Sequence, residues 1–171
     1  GADGMGPPFV DGDRVCAVAY QGRITCFDTQ SGTTIWARDV SSIVGMDADH
    51  RGAYVTDDKN AVVALDKSTG ASMWKQDKLF GRGVSAPLAF GRFVVVGDYE
   101  GYVHLLSRED GSFAARIATD GSAIGARPIA LDANTLLVQT RNGGVFAIAG
   151  QEVAPAIVIV GRPTVGKAAL F

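Results

Sequence analysis

The residues with the most recognisable chemistry lie near the end of the sequence. Gly161, Gly166 and Lys167 follow the pattern Gly-x-x-x-x-Gly-Lys, and an apolar segment at 156–160 precedes them. In this pattern a glycine-rich turn after a strand holds phosphate groups on its backbone amides, and the lysine contacts the terminal phosphates. A working site also needs a Ser or Thr hydroxyl after the lysine to hold magnesium, whereas this chain has Ala168. We therefore expect a degenerate P-loop that does not bind nucleotide.

The chain contains two cysteines, which are either bonded or free. Cys16 and Cys26 lie on the two arms of a hairpin predicted around Gln21 and Gly22. A three-residue loop would place them opposite each other and permit a disulfide, whereas a two-residue loop would send them to opposite faces. Because unpaired cysteines are among the most buried residue types, we favour two buried thiols. No second Cys pair or nearby His completes a zinc site.

Scattered His and Asp residues are the remaining candidates for catalysis or metal binding. His50 and His104 have no second ligand at usable spacing, so we expect each to be a solvated or a core histidine. Asp28 and Asp66 each precede a turn glycine by four residues, where a short carboxylate can accept hydrogen bonds from the turn. We interpret them as turn formers and not as calcium ligands of a cofactor site. We predict no catalytic residue, no metal and no cofactor.

The composition is that of a globular chain rich in turns. Of 171 residues, 47% are hydrophobic and 20% are charged, and 22 glycines stand against 6 prolines, which favours one β-rich domain. The 16 Lys and Arg residues are balanced by 18 Asp and Glu residues without a basic stripe, so nucleic acid is not an expected partner. The longest apolar run, 154–160, is too short to cross a bilayer, and the first residues show no signal pattern, so we expect this chain to be soluble.

One structural plan occurs four times along the sequence. It consists of an apolar strand, a tight polar turn, a second apolar strand, a second turn that ends in glycine, and a third strand. The tight turns align at Gly22, Asn60, Gly101 and Gly143, at spacings of 38, 41 and 42 residues. A period near 40 residues built from short strands is typical of β-propeller blades, and the 3.6-residue apolar rhythm of helical repeats is missing.

The repeat predicts an all-β fold in which residues 1–150 form four four-stranded propeller blades. A fourth strand is expected before each copy, in the segments 8–10, 43–46, 86–89 and 127–130. The strand after each hairpin is apolar on both faces, as at 62–65, so neighbouring blades must cover it on two sides. Residues 151–171 form a separate tail, and we expect its β-forming segment 156–160 to supply the outermost strand of the fourth blade.

The repeat resembles that of a known group of propellers. The pattern Gly-x-x-x-x-x-Asp-x-x-x-Gly-x-x-x-Trp occurs at 22–36 and, with Asn60 in place of the first glycine, at 60–74. It is similar to the repeat of quinoprotein-type eight-bladed propellers. The resemblance implies that Trp36 and Trp74 pack between neighbouring blades and that four blades are half of an eight-bladed ring.

Within that group, the sequence resembles the C-terminal half of the BamB family of outer-membrane assembly lipoproteins. The resemblance covers residues 2–149 and is carried mainly by the segments 15–22, 74–76 and 85–104. It implies a non-catalytic protein-binding scaffold at the periplasmic face of the outer membrane. The implied partners are a BamA-like barrel insertase and nascent outer-membrane proteins. A quinone-dependent dehydrogenase fragment, which would share the blade repeat, and an adaptor propeller for another partner are the alternatives.

The same resemblance suggests a contact residue near the start of the chain. Family members have an acidic turn there, and Asp3 matches its first acidic position. Met5 stands where a second Asp is expected. Asp3 is therefore the single candidate for partner binding.

Four blades alone would leave two blade faces uncovered. Apolar faces of this kind usually find a partner, and two copies of four blades could close an eight-bladed ring about a two-fold axis. The sequence therefore predicts a homodimer.

The tail resembles a different family. The segment 156–167 is similar to the opening of the first GTPase domain of the ribosome-assembly GTPase Der (EngA), and the similarity is confined to residues 151–171. By itself it would suggest a GTP-binding protein, but no Asn-Lys-x-Asp element follows. We interpret the tail as a junction between two reading frames.

Overall fold

The protein consists of four consecutive β-sheets in a computed structural model, which describes residues 9–19, 22–40, 43–150 and the strand at 156–160. Each sheet has four antiparallel strands in chain order, and we call the sheets blades 1 to 4. This arrangement confirms the predicted all-β fold of four four-stranded blades. Within the described part of the chain, no helix has the length and apolar character needed to span a membrane.

Within each blade the strands follow chain order, from the innermost strand to the outermost. Blade 1 contains β1 (Phe9–Asp11), β2 (Arg14–Ala19), β3 (Arg23–Asp28) and β4 (Thr34–Asp39). Blade 2 contains β5 (Ile43–Ala48), β6 (Gly52–Asp57), β7 (Val62–Asp66) and β8 (Ser72–Gln76). Blade 3 contains β9 (Leu88–Phe90), β10 (Phe93–Gly97), β11 (Tyr102–Ser107) and β12 (Phe113–Ala118). Blade 4 contains β13 (Ile129–Ala130), β14 (Thr135–Gln139), β15 (Val145–Ala149) and β16 (Ala156–Val160).

Each hairpin between the second and third strands of a blade turns on a residue with positive φ. Gly22, Gly101 and Gly143 have φ values of 86°, 80° and 84°. In blade 2 the position is occupied by Asn60, the only non-glycine residue with positive φ in the described chain, at 65°. Asn tolerates this region better than most residues, and its Oδ1 also accepts a hydrogen bond from the Val84 amide at 2.8 Å. These turns confirm the alignment of the repeat.

Apolar clusters fill the spaces between neighbouring blades. One cluster joins blades 1 and 2, a second joins blades 2 and 3, and a third joins blades 3 and 4. Successive residues of one strand serve different clusters, since Leu105 packs toward blade 4 and Leu106 packs toward blade 2. The innermost strands β5, β9 and β13 contact one another in series. The sheets therefore fan out from a common centre, and the third strand of each inner blade is covered on both faces, as predicted.

A register shift recurs at one place in blades 1 to 3. It falls where the outermost strand pairs with its neighbour, after Cys26, Ala64 and Leu105. The residues opposite these three positions are Trp36, Trp74 and Ala115. The third blade therefore has a methyl group where the first two have an indole.

The two tryptophans connect each blade to the next one along the chain. Trp36 and Trp74 are both 8% exposed. Their Nε1 atoms donate hydrogen bonds to backbone carbonyls of the following blade, at 2.9 Å and 2.8 Å. The rings lie over turn glycines of that blade, Gly70 and Gly111, where an added Cβ would come within 2.6 Å and 2.3 Å of ring carbons. The prediction that both tryptophans are core residues between blades is confirmed.

The two cysteines form a disulfide. Ala19 pairs with Arg23, so the loop between β2 and β3 has three residues, and Cys16 lies directly opposite Cys26 with a Cα–Cα distance of 4.0 Å. Both side chains are buried. The favoured interpretation as two thiols is therefore wrong, because the loop has the length that places both side chains on one face.

The outermost strand of blade 4 comes from the tail. β16 runs antiparallel to β15 in a five-residue register from Val145–Val160 to Ala149–Ala156. β15 is consequently paired on both edges, with β14 on one side and β16 on the other. The proposed division of the chain after Gly150 remains a prediction.

Candidate binding surface

Several residues singled out in the sequence lie outside the described residues. These are the P-loop residues Gly161, Gly166 and Lys167 and the candidate contact Asp3. Their roles stay predictions. His50 is exposed, whereas His104 is buried within blade 3.

The repeated aspartates of the outer turns are committed to backbone amides. Asp28 Oδ1 accepts hydrogen bonds from the amides of Gln30 and Ser31, both at 2.9 Å. The amide of Ser31, followed by that of Gln30, lowers the pKa of the Asp28 carboxyl. Asp66 accepts from the corresponding two amides of its own turn, at 2.7 Å and 3.1 Å. Both side chains therefore act as turn formers, and the described residues contain no cluster of three or more metal-binding side chains.

A second type of aspartate stabilises the hairpins at the opposite end of the blades. Asp57 is the last residue of the second strand of blade 2, and Asp98 directly follows the second strand of blade 3. The Oδ1 atom of each accepts hydrogen bonds from the amides two and four residues later, at 2.9–3.1 Å. Because one carboxylate oxygen is enough for this role, the second oxygen of Asp98 can bind other side chains. We call this end of the molecule the hairpin end.

Asp98 forms a buried charged network at the hairpin end of blade 3. Its Oδ2 atom lies 2.7 Å from His104 Nε2 and 2.8 Å from Arg82 Nε, and the Asp98 side chain has no exposed surface. Burial raises the pKa of this carboxyl, but the hydrogen bonds from His104, Arg82 and two amides outweigh burial and lower it to about 2. Asp98 is therefore ionised at neutral pH, and His104 Nε2 carries the hydrogen that it donates.

Two aromatic side chains project from the hairpin end next to this network. Phe80 is 80% exposed at a turn in which the Arg82 amide donates to the Leu79 carbonyl at 3.1 Å. The following residue, Gly81, has φ of 74°, as the third position of a type II turn requires. Tyr99 is 66% exposed on the neighbouring hairpin. We call Phe80 and Tyr99 the aromatic patch.

The aromatic patch is held by backbone contacts. The Tyr99 amide donates to the Arg82 carbonyl at 2.8 Å, which joins the two loops. The Tyr99 ring packs over Gly83, where an added Cβ would lie 2.2 Å from a ring carbon. Arg82 in turn reaches Glu100 at 3.5 Å and Asp98 at 2.8 Å. Large aromatic side chains held in this way, beside an arginine, are typical of protein-binding surfaces.

Sequence reasoning did not identify this surface. The sequence suggests an isolated His104, whereas the structure pairs it with Asp98 across the hairpin. The sequence does contain a signal for this pair, because Asp98 and His104 stand six residues apart on either side of the turn at Gly101. The partnership with Arg82 depends on how the loop from blade 2 packs on blade 3, which no local pattern specifies.

Comparison with known proteins finds the same fold and a related sequence. A family model described as outer membrane protein assembly factor BamB matches residues 1–76. The outer membrane protein assembly factor BamB of Burkholderia pseudomallei (strain K96243) is 47% identical over 144 residues, which are 84% of this chain and 38% of that protein. The chain therefore spans about two fifths of the length of this curated relative.

Comparison with solved structures also finds a BamB protein. The crystal structure of BamB from Moraxella catarrhalis matches with a TM-score of 0.73 and 26% identity, over 83% of this chain and 42% of that one. The quinohemoprotein alcohol dehydrogenase of Comamonas testosteroni matches with a TM-score of 0.67 over 83% of this chain and 32% of that one. At 17% identity, the second match shows a shared fold alone.

Proposed function

Because the chain is a BamB-like propeller fragment, we propose that it acts as a protein-binding scaffold in outer-membrane protein assembly and not as an enzyme. The observation that carries this proposal is the 47% identity to an outer membrane protein assembly factor across 84% of the chain. The parent protein would work at the periplasmic face of the outer membrane. Its partners would be a BamA-like barrel insertase and nascent outer-membrane proteins.

The aromatic patch is the contact surface that the geometry supports. Phe80 and Tyr99 expose large rings on two loops that are joined by a backbone hydrogen bond, so little backbone conformational entropy is lost when the rings are buried. Burial of aromatic anchors supplies much of the binding energy in protein interfaces. The patch also lies at the end of the blades where the hairpins meet the linkers between blades.

We expect the double variant F80A/Y99A to bind the purified periplasmic domains of a BamA-type insertase at least about tenfold more weakly than the wild-type chain. Calorimetry would measure the affinity. The matched control is I129A/L131A, which removes two exposed apolar side chains from blade 4 away from the patch and should leave the affinity unchanged. Wild-type affinity in F80A/Y99A would exclude the patch as the interface, and failure of the wild-type chain to bind would contradict the scaffold proposal.

We also propose that two copies of the chain associate. The face of blade 1 that is turned away from blade 2 presents Val10 and Phe27, which are both exposed. In the inner blades the corresponding faces are covered by a neighbour. A second copy could cover this face and complete an eight-bladed ring.

A further inference from the structure

A cleft of about 480 Å³ lies between blades 2 and 3, outside the aromatic patch. The linker that leaves blade 2 forms one wall with Lys78, Leu79 and Arg82. The outer strands of blade 3 form the other wall, which includes His104, Phe113 and Arg116. The cleft is large enough for a small organic ligand or for one side chain of a bound peptide.

Positive charge is concentrated in this cleft. Among the described residues, Lys78 and Arg116 form no ion pair, and both are exposed. The guanidinium groups of Arg82 and Arg116 both lie against the Tyr102 ring, at 5.5 Å and 4.7 Å from its centroid. Two cations held near one ring repel each other, so an anion bound in the cleft beside them would be stabilised.

A buried nitrogen in the cleft wall lacks a partner. His104 is 2% exposed, and its Nε2 is used by Asp98, but its Nδ1 has no hydrogen-bond partner in the described structure. Buried polar atoms without a partner are rare in folded proteins and often mark a functional site. The Phe113 ring lies at 6.0 Å from the His104 ring, edge to face, and is itself 44% exposed.

The remaining features of the cleft restrict the ligand. Leu79 on one wall and Phe113 on the other supply apolar surface, so part of the ligand is apolar. The apolar surface of Leu79 and Phe113 offers no hydrogen-bond partner to a strongly hydrated dianion such as phosphate, whereas it can pack against a group that carries a carboxylate. A guanidinium group donates two parallel hydrogen bonds to a planar carboxylate.

We propose that the cleft between blades 2 and 3 binds a carboxylate carried on an apolar group. Arg116 and Lys78 bind the carboxylate, Arg82 adds a third positive charge, and the apolar portion packs against Leu79 and Phe113. The site shares Arg82 with the surroundings of the aromatic patch but uses neither Phe80 nor Tyr99, so its test does not depend on the proposed scaffold function.

The test uses the full chain and the probe 3-phenylpropionate, with binding followed by calorimetry and by amide chemical shifts. We expect saturable binding with shifts in the linker of blade 2 and in β12. The uncharged analogue 3-phenylpropionamide should bind at least about tenfold more weakly, because it loses the charge-assisted hydrogen bonds. Equal binding of acid and amide, or no saturable binding of the acid, would overturn the proposal.

The variant R116Q should weaken binding of 3-phenylpropionate at least about fivefold, and K78Q should weaken it by a smaller factor. The matched control is R92Q, because Arg92 also stacks on an aromatic ring, at 5.2 Å from the Phe93 centroid, away from the cleft. An equal loss of affinity in R116Q and R92Q would contradict the assignment. Unchanged melting temperatures in both variants would show that the fold is intact.

The peptide acetyl-Ala-Glu-Phe-Ala-amide distinguishes two sources of the carboxylate. Binding of the peptide in competition with 3-phenylpropionate would assign the cleft to acidic side chains of proteins. Binding of 3-phenylpropionate alone would assign it to small carboxylic acids. Either result supports a carboxylate site, whereas retention of peptide affinity in R116Q would exclude Arg116 as its ligand.

Discussion

Asp98 shows how a residue of a structural repeat acquires a second role. Its Oδ1 stabilises a hairpin as Asp57 does in the preceding blade, while its Oδ2 holds Arg82 and His104. A carboxylate without exposed surface is tolerated because these partners replace its water shell. The network fixes the base of the loop that carries Phe80.

The stability of the fold should depend on the ionisation of Asp98. Because its pKa is about 2 in the folded chain and 3.8 in the reference state, Asp98 stabilises the fold above about pH 4. This contribution is lost as the pH falls from about 4 to about 2. We expect D98N to lower the free energy of unfolding by about 2 kcal/mol at pH 6 and by little at pH 2.

Urea unfolding at the two pH values would measure this difference. The exposed Asp132 gives the control variant D132N, which should change the free energy of unfolding by less than about 0.5 kcal/mol at both pH values. An equal loss of unfolding free energy in D98N at pH 6 and pH 2 would contradict a stabilising role of the ionised Asp98 carboxylate.

At the scale of elements, the local sequence pattern predicted the strands and their order. It did not predict the length of the loop between β2 and β3. Positive-φ turns and apolar runs are local signals, so the hairpins at Gly22, Asn60, Gly101 and Gly143 could be located from sequence. The disulfide could not be decided, because it depends on whether the loop before Arg23 has two or three residues. The cleft was missed because its walls come from two blades that only tertiary packing brings together.

The disulfide in blade 1 should stabilise the chain. Cys16 and Cys26 are separated by 10 residues, and a covalent loop of this size restricts the unfolded chain by roughly 2–3 kcal/mol. We expect C16A/C26A to melt at a lower temperature than the oxidised wild-type chain. Reducing agent should lower the melting temperature of the wild type and leave the double variant unchanged; equal melting of oxidised and reduced wild type would contradict a stabilising bond.

β16 should be required for a stable blade 4. Deletion of residues 151–171 leaves the edge of β15 unpaired, so we expect a melting temperature lower by more than about 5 °C, together with aggregation. Deletion of 161–171 alone is the matched control, because it retains the strand. Thermal unfolding monitored by circular dichroism would compare the two truncations, and equal melting of both would show that β16 contributes no stability.

At the scale of the whole molecule, the fan of sheets follows from strands that are apolar on both faces. Each inner blade is stable only between two neighbours, and blade 1 has a neighbour on one side within the described chain. The radial arrangement could be predicted because the period near 40 residues gives four strands per unit.

Association through this face should be visible in solution. One chain has a mass of 17.8 kDa. We expect light scattering at micromolar concentration to give twice this mass. The variant F27D places a charge on the apolar face of blade 1 and should shift the mass to that of the monomer. The control K75Q alters an exposed charge on the outermost strand of blade 2, away from this face, and should remain dimeric. A wild-type chain that is monomeric would exclude the homodimer.

Trp36 packs on Gly70, and Trp74 packs on Gly111 in the same way. Each joint between neighbouring blades is therefore formed by a tryptophan of one repeat and a glycine of the next. Loss of the whole of blade 2 would therefore bring Trp36 next to the turn of Gly111, so that the new contact would again pair an indole with a glycine. A single substitution has the opposite effect, because a side chain added at Gly70 would damage the packing of the blade before it. The length of such a chain can thus change in steps of one blade more easily than the residues at its joints can change singly.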